Sequence, residues 1–106
     1  MTVTVRYLSG TEADLDAWVA ALPGNEPERR ALARMYLSFL RDRLIEYRGE
    51  PPEAVREPGV APPLFWWEFY PKWWLTYTYE DEKRWFRATT RRVLILTVET
   101  ETHESG

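Results

Sequence analysis

The sequence predicts an α+β fold, a two-layer sandwich. Two antiparallel helices pack on a mostly antiparallel four-stranded sheet, in the order strand-helix-helix-strand-strand-strand. Three observations predict it. Apolar residues alternate with a period of two near the start and again from residue 64 onward. Between residues 11 and 48 they recur instead at helical spacing. The stretch LFWWEFYPKWWLTYTYE, residues 64–80, puts Trp66, Trp67, Trp73 and Trp74, four of the chain's six tryptophans, on two short segments that meet at Pro71-Lys72. A strand pair of this composition buries one face, and it holds more rings than one face needs.

Residues 2–8 alternate, with Val3, Val5 and Tyr7 on one side and Thr2, Thr4 and Arg6 on the other, which predicts the first strand. Thr11 offers an N-cap with Asp14 three residues on, and Leu15, Trp18, Val19 and Leu22 follow at helical spacing until Pro23-Gly24 ends the helix. Asn25, with Pro27 in the first turn and Glu28 completing a capping pattern, starts the second helix. Its expected buried stripe is Leu32, Met35, Tyr36, Phe39, Leu40 and Leu44, with arginines over the remainder and a stop near Gly49.

Residues 49–63, GEPPEAVREPGVAPP, hold five prolines and two glycines and are expected to be an irregular loop, either a lid or a tether. The aromatic hairpin follows, then a charged connection from Glu80 to Arg92, then VLILTVET as the last strand. The tail, 100–106, is expected to fray. Residues 1–106 thus form a single domain, of a size that folds alone.

The pairing of the hairpin decides which rings are surplus. A turn of three or five residues around Tyr70-Pro71-Lys72 places Phe65, Trp67, Phe69, Trp73, Leu75, Tyr77 and Tyr79 on one face. The other face then carries Trp66, Glu68, Tyr70, Trp74, Thr76, Thr78 and Glu80. A two- or four-residue turn would send Glu68 into the core, at several kcal/mol for an unpaired carboxylate, so the first register is expected. With both helices on one side, the face carrying Trp66, Tyr70 and Trp74 is left open.

Composition excludes several functions. The chain has no cysteine, so no disulfide, zinc-thiolate site or cysteine nucleophile, and its one histidine cannot build a metal cluster. It has no glycine-rich phosphate loop, and no cofactor is expected. No apolar run approaches a membrane span and MTVTVRYL is unlike a signal peptide, which makes a cytoplasmic protein without membrane association the expectation. A net charge of −3 argues against nucleic-acid binding through the overall field. A local basic cluster of Lys83, Arg84, Arg87, Arg91 and Arg92 nevertheless falls in ten residues without an acid.

The layout resembles the RelE/ParE toxin superfamily, in particular its phage-related HigB-like branch. Trp67-Glu68-Phe69-Tyr70, after a Pro-Pro-Leu lead-in, stands where that family carries an aromatic residue, glutamate, leucine and arginine. WWLTY, residues 73–77, aligns with the family's third strand, and VLIL fits its last. The resemblance implies a toxin of a type II toxin-antitoxin system that cuts messenger RNA on the ribosome, held by a cognate antitoxin protein. It implies Glu68 as general base and His103 as general acid for attack of a 2′-hydroxyl on the adjacent phosphate. Lys72, Lys83, Arg84, Arg87, Arg91 and Arg92 would bind phosphates, and Trp66, Tyr70 and Trp74 would stack on bases. The sequence departs from the family where Tyr70 and Trp74 replace strand arginines, and where Glu99 and Glu101 follow the last strand in place of basic residues.

The bland reading of each candidate is structural. Glu68 on a sheet face is more often the partner of a cross-strand cation, and the basic cluster reads more readily as a solvated charged turn than as a phosphate site. The alternative to the ribonuclease is therefore a non-catalytic protein-interaction module that uses its aromatic face. Carbohydrate binding through the tryptophans fits the rings and not the cytoplasmic expectation.

Overall fold

The computed structural model describes residues 1–83 and 89–100. Its elements are β1 (Thr2–Tyr7), α1 (Thr11–Ala21), α2 (Glu26–Glu46), β2 (Val55–Arg56), β3 (Leu64–Tyr70), β4 (Trp73–Glu82) and β5 (Thr90–Thr100). They form an α+β fold in which one five-stranded mixed sheet has the order β1-β5-β4-β3-β2. The expected four-stranded, mostly antiparallel sheet is corrected twice. First, β1 pairs with β5 in parallel, from Thr2 opposite Thr90 to Tyr7 opposite Ile95. Parallel neighbours need a long crossover, and everything from Leu8 to Thr89 supplies it.

Second, the proline-rich loop contributes a strand. The outer edge of β3 would otherwise leave its backbone unpaired, and Val55 and Arg56 cover part of it, opposite Trp66 and Phe65. Glu57 extends the cover by donating its backbone N–H to the Leu64 carbonyl at 2.8 Å. On the other side Ala54 turns its N–H back to the Pro51 carbonyl at 3.0 Å, and the strand is two residues long.

The hairpin takes the expected register from Leu64 to Glu68, but its turn is the two residues Pro71-Lys72 and not the three or five expected, because a bulge in β3 supplies the extra residue. Phe65 lies opposite Tyr77 and Trp67 opposite Leu75, all four buried toward the helices. Trp66 opposite Thr76 and Glu68 opposite Trp74 face the other way. A bulge then shifts the pairing so that Tyr70 meets Trp73 across Pro71-Lys72, with Lys72 in the left-handed region at φ 67°. The extra residue alters one expected position. Phe69 and Tyr70 both turn to the helix layer, with ring centroids 5.0 and 6.0 Å from that of Trp18, and Tyr70 is 5.2 Å from Tyr36. Tyr70 is therefore a packing residue and not part of the open face, because a bulge interrupts the alternation that placed it there.

The helices meet most expectations. Asn25 and Glu28 form a reciprocal capping box, the Asn25 side chain accepting from Glu28 N at 3.0 Å and the Glu28 carboxylate from Asn25 N at 3.3 Å. Thr11 is not the cap of α1. Gly10, at φ 97°, occupies that position, and Thr11 is a buried first helical residue. In α2 the buried stripe is Ala33, Leu40 and Leu44, with Leu32, Tyr36 and Leu37 partly covered. Met35 and Phe39, expected inside, are 60% and 57% exposed. At ~100° per residue they lie opposite the Ala33-Leu37-Leu40-Leu44 line, which is the line directed at the sheet.

The core joins Trp18, Leu22, Leu40 and Leu44 from the helices to Phe65, Trp67, Leu75, Tyr77, Val93, Ile95 and Val98 from the sheet. Leu15 and Leu32 pack at its rim. Among the described residues no helix is long and apolar enough to cross a membrane.

Candidate functional site

Strand alternation builds the open face from residues whose neighbours point into the core. Leu75 and Tyr77 are buried, so Trp74, Thr76 and Thr78 face outward; Val93, Ile95 and Val98 are buried, so Arg92, Leu94, Thr97 and Glu99 do. The interval from Ile95 to Val98 contains a bulge, where Tyr77 pairs with Ile95 but Thr76 with Thr97. That one-residue shift decides which of the last residues look outward. Without it Val98 and Glu99 would exchange faces.

Reading across β3, β4 and β5 gives the rows of the face. Glu68 lies opposite Trp74, and Trp74 opposite Glu99. In the next row Val55, Trp66, Thr76 and Thr97 stand side by side. Leu64, Thr78, Leu94 and Arg6 form the third, and Glu80, Arg92 and Thr4 the fourth. The face is therefore polarised. Trp66 and Trp74 with Glu68 and Glu99 occupy the end near the Pro71-Lys72 turn, and Arg6 and Arg92 with Glu80 the opposite end.

Two hollows follow that polarity. One, of about 440 Å³, is lined by Val55, Trp66, Trp74, Thr76, Glu99 and Thr100. The other, of about 420 Å³, lies among Arg6, Ser9, Thr78, Glu80, Arg92 and Leu94. In the first, Val55 is 53% exposed and both indoles are half-buried, with the Trp74 Nε1 donor buried and without an acceptor.

Glu68 is exposed, and its carboxylate accepts from the Lys72 backbone N–H at 3.2 Å, bracing the turn. No cation pairs with Glu68 or Glu99 among the described residues. Lys72 sits at the turn with its carbonyl accepting from the Thr100 hydroxyl at 3.1 Å. Its backbone is fully employed.

The described members of the basic cluster do not converge on Glu68. Arg91 donates to both oxygens of Asp81 at 2.7 and 2.8 Å and to the Arg48 carbonyl at 2.8 Å. The hydrogen bond from Arg91 holds the Asp81 carboxyl below its usual range. Arg92 pairs with Glu82 on the neighbouring strand. Lys83 is exposed just past the end of β4. Arg84, Arg87 and His103 lie outside the described residues. Trp74, the cross-strand neighbour of Glu68, is six residues along β4 from Glu80 in the Arg92 row, a distance of ~20 Å at strand spacing.

The structure thus brings Trp66, Glu68 and Trp74 together, removes Tyr70 to the core, and places Arg91 and Arg92 in cross-strand ion pairs. It adds Glu99 and Val55, which the sequence reading did not assign to the face, and keeps Thr76 there as expected. Glu99 was legible as an acid near the last strand; its position opposite Trp74 depends on the bulge at Leu96. Among the described residues no group of histidines and carboxylates is arranged to hold a metal ion. No family model, no curated protein and no solved structure matches this chain.

Proposed function

We infer that this chain is a non-catalytic protein-interaction module whose partner docks on the open sheet face at Trp66 and Trp74. The observation that carries this reading is the pair of half-buried indoles around a 440 Å³ hollow on a face that no helix covers. Exposed aromatic groups on a rigid sheet are the anchors on which protein interfaces concentrate their energy. Catalysis of phosphoryl transfer needs cations at the site of developing charge, and the described arginines of the cluster are engaged by Asp81 and Glu82.

Affinity capture from a nuclease-treated bacterial lysate tests the reading. A protein retained by the wild type and lost from Trp74→Ala and Trp66→Ala is expected. Retention that disappears with nuclease treatment would place RNA on this face instead.

The second reading, a RelE/ParE-like toxin or a descendant of one with an antitoxin as partner, draws on the element order and on Glu68 beside Trp74 on the open face. Induced expression then arrests growth and cuts transcripts during translation, and Glu68→Gln relieves both without lowering the melting temperature. Folded protein at high level with no arrest excludes it.

A further inference from the structure

We propose that the hollow between Trp66 and Trp74 takes an arginine side chain of a partner polypeptide, laid on the indoles and flanked by Glu68 and Glu99. This deepens the interaction-module reading and rests on it. Glu68, Trp74 and Glu99 stand in one row across three strands. Neighbouring strands are ~4.8 Å apart, so the Glu68 and Glu99 side chains start on either side of Trp74; Glu99 lines the hollow, and Glu68 stands at its turn end, where one carboxylate oxygen accepts from the Lys72 N–H at 3.2 Å. Both carboxylates are exposed and neither meets a cation among the described residues.

That charge pattern selects the occupant. An RNA phosphate would enter between two like charges. An apolar side chain would cover the indoles but strip water from two carboxylates without replacing it. A guanidinium meets both demands, since its flat face stacks on an indole while N–H donors on both edges reach carboxylates. A lysine ammonium is a compact charge that satisfies one carboxylate at a time. The same pairing already occurs within this protein, where the Arg91 guanidinium lies 3.9 Å over the Tyr79 ring and donates to Asp81. The hollow, at about 440 Å³, is wider than one guanidinium, which leaves room for the backbone that carries it.

The test uses the full chain labelled with ¹⁵N and follows the indole N–H resonances of Trp66 and Trp74. The probes are an alternating Arg-Ser decapeptide, its Lys-Ser and Glu-Ser counterparts, and a single-stranded RNA oligonucleotide. The Arg-Ser peptide is expected to shift both resonances, the Lys-Ser peptide to bind several-fold more weakly, and the Glu-Ser peptide and RNA to leave them unmoved. Affinity should fall as salt rises from ~50 to ~300 mM. It should weaken by at least ~10-fold in Glu68→Gln/Glu99→Gln, which keeps side-chain shape, and Trp74→Phe should weaken it with the fold retained.

No shift with millimolar Arg-Ser peptide, equal affinity in the double glutamine variant, or shifts caused by RNA would each overturn the proposal. So would indole shifts that change on dilution of the protein alone, which would assign the hollow to a second copy. A protein partner lost on Trp74→Ala but bound undiminished by Glu68→Gln/Glu99→Gln refutes the arginine and leaves the interaction face standing.

Discussion

The guanidinium of Arg91 lies 3.9 Å above the ring of Tyr79, and this stacking converts a residue that reads in sequence as a phosphate binder into a clamp. Its other contacts complete the arrangement. It holds Asp81 on the adjacent strand through two hydrogen bonds and the Arg48 carbonyl just past the end of α2 through a third. With its side chain only 13% exposed, the group is partly desolvated, where paired charges matter more than on the open surface.

Arg91→Lys is therefore expected to destabilise the protein by ~1–2 kcal/mol, because a single ammonium cannot hold a carboxylate at two points, stack on a ring and cap a carbonyl together. Denaturant melts of the two proteins measure it. An unchanged midpoint would show that the clamp is incidental.

The end of α2 is fastened at a second point. Tyr77 is fully buried and its hydroxyl donates to the Gly49 carbonyl at 2.8 Å, while Gly49, at φ 83°, donates its N–H to Leu44 at 2.7 Å. Tyr77→Phe leaves that carbonyl without its partner and is expected to cost ~1–3 kcal/mol. Gly49→Ala is expected to be at least as harmful. It places a Cβ 3.1 Å from the Tyr79 ring on a backbone conformation that side chains disfavour. Thermal melts of both variants, with Gly59→Ala as a positive-φ control whose Cβ meets nothing within 4 Å, separate crowding from backbone strain.

The pH dependence follows from the paired carboxylates. Hydrogen bonds from Arg91 and Arg43 lower the pKa of Asp81 and Glu53 below the ordinary carboxylate values. A depressed folded-state pKa means the unfolded chain binds protons first as pH falls. The stability from these pairs is present above the normal carboxylate range and lost as pH drops through the lowered values. Melting temperature should hold steady from neutral pH down to ~5 and fall below ~4, and Asp81→Asn should start lower at neutral pH and lose less on acidification. Parallel pH profiles for wild type and Asp81→Asn would contradict the assignment.

Much of this fold was legible because period and capping are local. The alternation of Val3 and Val5, the Asn25-x-x-Glu28 box and the burial of Phe65, Trp67, Leu75 and Tyr77 each need only neighbours a few residues away. What escaped the sequence depends on distant partners. Val55-Arg56 becomes a strand only because β3 offers an edge, and β1 runs parallel to β5 only because the crossover returns the chain to that side. The site shows the same division. Trp66 and Trp74 were assigned to the open face from alternation alone, whereas two bulges sent Tyr70 inward and aimed Glu99 outward.

Phe39 gives the sharpest separation between sequence and structure. Its spacing from Leu32, Tyr36 and Leu40 suits a buried stripe, and a buried phenylalanine truncated to alanine costs ~3–5 kcal/mol. In the fold it is 57% exposed, covered in part by the Arg43 guanidinium 6.0 Å from its centroid, while Trp67, at 3% exposure, carries the burial. Phe39→Ala is therefore expected to cost less than ~1 kcal/mol, and Trp67→Ala ~3–5 kcal/mol, enough to unfold a domain with a few kcal/mol in hand. Urea midpoints for the two variants decide it. Near-equal losses would mean that α2 is rotated relative to the sheet, with the Met35-Phe39 line turned toward β1.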